Sequence, residues 1–141
     1  MVEVALLLVV FLAILLGIMD WTWTMYEHES LVSRASQAAR WAAVRPFNAT
    51  TQSGAKDIVL YGATPCVGCA AGFGLAAGNV TVQQQNASYD VANGSPVATT
   101  HILVAVSGYT VNHWFAGGSF SGRTITASAL WECLDAACDF P

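Results

Sequence analysis

The chain has 141 residues, of which 55% are hydrophobic and 10% are charged, and its formal net charge is −4. The length suits one domain with an N-terminal segment, and the charged fraction is far below the roughly 25% of an average soluble domain. With only five Lys and Arg residues there is no basic stripe that could neutralise phosphates, so the composition excludes nucleic acid as a partner.

The first element is an uninterrupted apolar run over residues 4–19, flanked by Glu3 and Asp20. No Pro occurs in the first forty-five residues, so we predict one continuous helix from residue 2 to about residue 44, about 65 Å long. A bilayer core needs only about 20 residues. We therefore divide the chain into a hydrophobic half-helix, 1–26, and a globular head, 27–141. A secretory signal peptide would need a basic segment before the run and small residues after it, and neither is present.

The second half of this helix is amphipathic. A stripe of mostly small side chains at helical spacing predicts a buried face; it comprises Leu31, Ala35, Ala38, Ala39 and Ala42. The helix should end near Val44 or Arg45, because Pro46 cannot continue it. Arg34, Arg40 and Arg45 are scattered along this helix, and we expect them to flank or solvate it.

The rest of the chain is predicted as a small sheet. Residues 48–54 read as a polar loop, 57–61 as a possible fourth strand, and 62–78 as a Gly/Ala-rich segment that is either a long irregular loop or a weak helix. Alternation predicts strands at 79–85, 101–111 and 123–131. A turn region is predicted at 87–97, where Asn93-Gly94 is a hairpin signal, and a flexible loop at 112–122. The predicted fold class is α+β: a long N-terminal helix packed by its C-terminal half on a small antiparallel sheet.

The helix also resembles a known family. Its apolar run VEVALLLVVFLAILLGIMD and its later segment ASQAARWAAV are similar to the N-terminal signature of TadE-like pilins and pseudopilins, and residues 79–132 are similar more loosely. The positions that match are Glu3, Ala5, Leu6, Gly17, Ala38, Ala39, Arg40, Ala42 and Ala43. The resemblance implies a pilin-like fold and a type IV-like life cycle. The apolar half-helix waits in the cytoplasmic membrane, a prepilin peptidase removes a basic leader, and the helices then bundle in an extracellular filament.

Five residues of the N-terminal half are predicted to take part in assembly. The resemblance implies that Glu3 compensates the N-terminal amine of a neighbouring subunit, although type IV pilins place this Glu fifth. Since no leader is visible, the chain is expected to be the processed form. Gly17 should permit close helix approach, whereas Asp20 is either a boundary residue or an inter-subunit partner. Trp21 and Trp23 fit an interfacial belt or packing between helices.

The four cysteines of an exported domain are expected to form disulfides. Cys66–Cys69 and Cys133–Cys138 are the favoured local bridges, with the other two pairings and a four-thiolate zinc site left as alternatives.

Four sequons offer possible glycosylation sites: Asn48, Asn79, Asn86 and Asn93. In many prokaryotes, which lack the modifying machinery, they would be ordinary turn and strand residues.

Catalysis is not expected. His28, His101 and His113 fall on separate elements without metal-ligand spacing, and no Gly-rich phosphate loop follows a strand. We predict no cofactor and no metal.

The favoured function is a structural subunit of an extracellular Tad-like pilus filament, a homopolymer with a role in adhesion, handled by the pilus assembly machinery. The alternatives are a minor initiating pseudopilin, or a single-pass membrane-anchored binding domain that engages its partner through Trp114 and Phe115.

Overall fold

The computed structural model describes residues 2–66, 68–90, 96–112 and 119–131. Two helices come first, α1 (Val2–Ala43) and α2 (Ala49–Tyr61), followed by two short 3-10 turns, Gly72–Gly74 and Ala77–Asn79. Three strands complete the described chain: β1 (Val80–Asp90), β2 (Pro96–Asn112) and β3 (Ser119–Leu130). They form one antiparallel sheet in the order β1-β2-β3. Because α1 packs on this sheet, the predicted α+β fold is confirmed.

Helix α1 is continuous from Val2 to Ala43, as the absence of Pro predicted. It ends one or two residues before the predicted position. The predicted stripe is its buried face: Leu31 is 1% exposed, and Ala35, Ala38, Ala39 and Ala42 are 0% exposed. Their short side chains let the helix axis approach the sheet closely, whereas Arg40 on the opposite side is exposed.

The inner face of the sheet supplies the other half of the core. Alternate residues point towards α1, so the register aligns apolar side chains in rows across the strands. One row is Val80, Val106 and Ile125, and the next is Val82, Val104 and Ala127. Burying one Val or Ile side chain fully contributes roughly 1.5–3 kcal/mol, so these rows hold the helix on the sheet.

The predicted loop at 48–54 and the possible strand at 57–61 were wrong, because both segments belong to α2. The side-chain oxygen of Asn48 caps the helix by accepting the backbone N–H of Thr51 at 2.8 Å. Helical spacing then buries Ala55, Ile58 and Val59 against the core. The apolar run that resembled a strand is the buried face of the last two turns of α2.

The strands are longer than predicted at three places, one of which is the start of β2 at Pro96 instead of residue 101. β1 continues to Asp90 through residues that show no clear alternation, because β2 pairs with them over their whole length. One such contact joins Thr100 Oγ1 to Asn86 Oδ1 at 3.1 Å. β3 begins at Ser119, inside the segment predicted as a loop. The Asn93-Gly94 turn, Trp114, Phe115, Cys133 and Cys138 lie outside the described residues.

Candidate assembly surface

The N-terminal half of α1 projects as a bare apolar helix, and we call residues 4–26 the rod. Large apolar side chains are exposed all round it; Leu7 is 69% exposed, Phe11 60% and Met19 72%. Monomeric soluble proteins rarely expose contiguous apolar patches above a few hundred Å². By length and composition α1 is apolar enough to cross a membrane. The rod therefore needs a cover, either lipid or other helices.

Glu3 lies just before the rod, and Gly17 lies within it. Glu3 is exposed in the first turn, where a negative charge complements the helix dipole. A Cβ atom added at Gly17 would meet nothing within 4 Å. Nothing in the described part of the single chain therefore requires glycine at this position, which forms a notch in the rod.

An aromatic belt lies at the end of the rod that adjoins the head. Trp21, Trp23 and Tyr26 are 56%, 60% and 65% exposed. The Trp23 Nε1–H donates to Glu27 Oε1 at 2.8 Å, and the Trp23 and Tyr26 rings lie 6.0 Å apart. Rings with one apolar and one hydrated end suit a boundary between apolar and aqueous surroundings. Asp20 is half-buried just before this belt.

A groove follows where the rod meets the head, and we call it the junction groove. Its lining residues are Tyr26, Glu29, Ser30, Ser33, Arg34, Gln37, Tyr61 and Gly62. Arg34 is half-buried, with its guanidinium carbon 4.9 Å from the centre of the Phe73 ring. Arg34 therefore packs on the head as well as flanking the helix. Arg45 likewise stacks on Trp41 at 4.1 Å, whereas Arg40 is exposed. Sequence analysis missed the groove because its walls come from segments far apart in the chain.

The candidate modification and disulfide sites lie in the head, outside the rod. Cys66 and Cys69 form a disulfide, the first of the two favoured local bridges. Both amide atoms of Asn79 are engaged: Oδ1 accepts the backbone N–H of Ala76 at 2.8 Å, and Nδ2 donates to the Ser107 carbonyl at 2.9 Å. Asn48 is exposed at the start of α2, and Asn93 lies outside the described residues. Glycosylation stays a prediction.

All five predicted assembly residues occupy the first twenty-three positions of α1, and the comparison with protein families addresses this segment. The family model of the TadE-like proteins matches residues 1–40. This match confirms the resemblance inferred from the apolar run and the Ala-Ala-Arg segment. It does not extend to the strands, where the sequence similarity was looser. No curated protein and no solved structure gives a significant match. Among the described residues, no group of three or more His, Cys, Asp or Glu is placed to hold a metal ion.

Proposed function

We propose that this chain is a structural subunit of a Tad-type pilus filament and polymerises through the rod. The observation that supports the proposal is the full exposure of an apolar helix on every side. Such a helix is stable in lipid or surrounded by other helices. Transfer from lipid to a helix bundle costs little, because both surroundings are apolar. The role requires no catalysis, cofactor or metal.

The proposed order of events begins in the cytoplasmic membrane. The rod lies in lipid while prepilin peptidase and the assembly machinery act on the chain, and it then leaves lipid for the core of an extracellular homopolymer. In that core the carboxylate of Glu3 would lie among apolar side chains. A buried charge is tolerable only when it is paired, and we propose the N-terminal amine of a neighbouring subunit as its partner.

Electron microscopy of filaments sheared from the cell surface, with the subunit identified by mass spectrometry, tests this function. The wild-type chain should be the main component of the filaments. A Glu3→Ala variant should stay in the membrane fraction and yield few filaments, whereas Gln83→Ala, on the exposed side of β1, should assemble normally. If the wild-type chain occurs only in membranes, the filament proposal fails.

The same helix also suits a monomeric membrane-anchored extracytoplasmic domain, since α1 meets the requirements for a membrane span. The microscopy separates the two functions, because an anchored domain stays in the membrane fraction. The fraction of the filament mass that consists of this chain distinguishes a major subunit from a minor pseudopilin that only initiates assembly.

A further inference from the structure

The junction groove continues one face of the rod. Tyr26, Ser30, Ser33 and Gln37 follow one another at intervals of four, three and four residues, so they form a single stripe along α1. Counting backwards with the same alternation of three and four residues leads to Trp23, Met19, Leu16 and Leu12 on the rod. A helix that lies along this face of the rod would therefore run into the groove. The two serines at its centre are short enough to let another helix backbone approach.

The loop that follows α2 is shaped around the guanidinium of Arg34. Gly62 has a φ of +79°, and a Cβ atom there would lie 3.7 Å from Arg34 Cζ. A Cβ atom at Gly72 would lie 3.3 Å from Arg34 Nη1. Phe73, beneath the guanidinium, has a φ of +59°, a left-handed conformation that a bulky residue rarely adopts. The guanidinium therefore lies against this loop, and the closest approach is at Gly72.

Arg34 has few polar contacts with the described residues. Its hydrogen bond in the described part of the structure is a long one, from Nη1 to the Leu60 carbonyl at 3.5 Å. No carboxylate among the described residues lies within ion-pair distance of it. A guanidinium has five N–H donors, so most of them remain for a partner. Glu29, exposed on the same groove, also lacks an ion pair within the described residues.

We propose that the junction groove receives helix α1 of a second copy of this chain, and that Arg34 pairs there with a carboxylate of the partner's turn at residues 27–29. The inference rests on the proposed filament function. It deepens that function by assigning an ionic contact at the boundary between the apolar core and the heads. A second copy is the favoured occupant because the groove is continuous with the exposed rod and the positive charge of Arg34 complements the carboxylates of that turn.

The length of the rod decides which carboxylate is in reach. For parallel helices, pairing Arg34 with Glu29 or Glu27 requires an axial shift of about 7.5 or 10.5 Å, which preserves most of the overlap between rods about 35 Å long. Pairing Arg34 with Asp20 requires an axial shift of about 21 Å, which removes more than half of the overlap between the rods. Pairing with Glu3 requires about 46 Å, beyond the length of the rod.

Charge reversal in the full-length chain tests the contact, with sheared filaments as the measurement. We expect Arg34→Glu, and separately the double variant Glu27→Arg with Glu29→Arg, to reduce the filament yield about tenfold or more. Combining all three reversals should restore most of the yield, because the pair is recreated with opposite polarity. Arg40→Glu is the matched control, since Arg40 is exposed and does not line the groove.

Thermal unfolding of each variant in detergent accompanies the assay. If Arg34→Glu unfolds the head, the filament yield of the double variant Glu27→Arg with Glu29→Arg becomes the deciding measurement. That variant leaves the contacts of Arg34 with Phe73 and Leu60 intact. Normal filaments from the single and double reversals would overturn the groove contact while leaving the filament function in place. A folded triple variant that does not recover assembly overturns it as well. A wild-type chain that forms no filaments instead refutes the filament function itself.

Discussion

Gly54 and Gly17 both lie inside helices, and their surroundings differ. A Cβ atom at Gly54 would lie 2.5 Å from Trp41 Cη2, and Arg45 stacks on that indole. Glycine is therefore what lets α2 cross α1 at this distance. Gly17 meets no atom of the described residues within 4 Å, so none of these residues requires glycine at that position.

We predict that Gly54→Ala lowers the free energy of unfolding by about 1–3 kcal/mol through overpacking. Gly17→Ala should not lower it, because alanine favours the helix by about 1 kcal/mol. Thermal unfolding of the two variants in detergent measures the difference. Equal destabilisation by both would contradict this account of Gly54.

His28 and Tyr109 join the start of the head to the sheet. The Tyr109 hydroxyl lies 3.0 Å from His28 Nδ1, and Tyr109 is only 3% exposed while His28 is half-buried. Since an unpaired buried hydroxyl costs more than a lost hydrogen bond, the two ends of this contact should respond differently to substitution.

We predict that His28→Leu destabilises the chain by about 1–3 kcal/mol, because it leaves the buried hydroxyl without its partner. Tyr109→Phe should cost about 0.5–1.5 kcal/mol, since His28 can turn to water. The double variant should be no less stable than His28→Leu alone. A double-variant cycle by denaturant unfolding checks the order, and additive losses would contradict the contact.

At the scale of elements, α2 shows where pattern reasoning failed. Its first half, ATTQSG, is polar and its second half is a short apolar run, so each piece by itself resembled a loop or a strand. The signals that distinguish a helix were Asn48 as a cap and the spacing of Thr51, Ala55, Ile58 and Val59. These signals extend across the boundary at which the segment had been divided.

Asn48 has two separable roles, the helix cap and a sequon. We predict that Asn48→Ala costs about 1 kcal/mol of stability by removing the cap. Thr50→Ala destroys the same sequon but leaves the cap in place, so its stability should stay at the wild-type value. Thermal unfolding tests the cap, and intact mass after expression in a glycosylating host tests the sugar. Equal melting temperatures for the two variants would show that the cap contributes nothing.

At the scale of the whole molecule, the head does not depend on the rod for its core. Burial in α1 begins at Leu31, whereas residues 3–19 are all exposed. The apolar surface of the rod thus stabilises nothing within the described chain. The division at residue 26 stays a prediction.

We predict that a chain beginning at Glu27 folds as a soluble monomer and forms no filaments, because it retains the core and loses the exposed apolar surface. Light scattering after size exclusion measures its mass, and circular dichroism measures its folding. An aggregated or unfolded head would show that residues 2–26 contribute to the fold.

The sequence by itself determined the long helix, its bare and amphipathic halves, the three strands and the resemblance to the TadE-like family. These features depend on composition and on repeats of 3.6 and 2 residues, which are local properties of the chain. Only the tertiary structure decided that β1 and β3 extend into polar segments. It also decided that Arg34 lies over Phe73 in a groove. Each of these depends on contacts between residues distant in sequence, where packing and strand pairing override local preference.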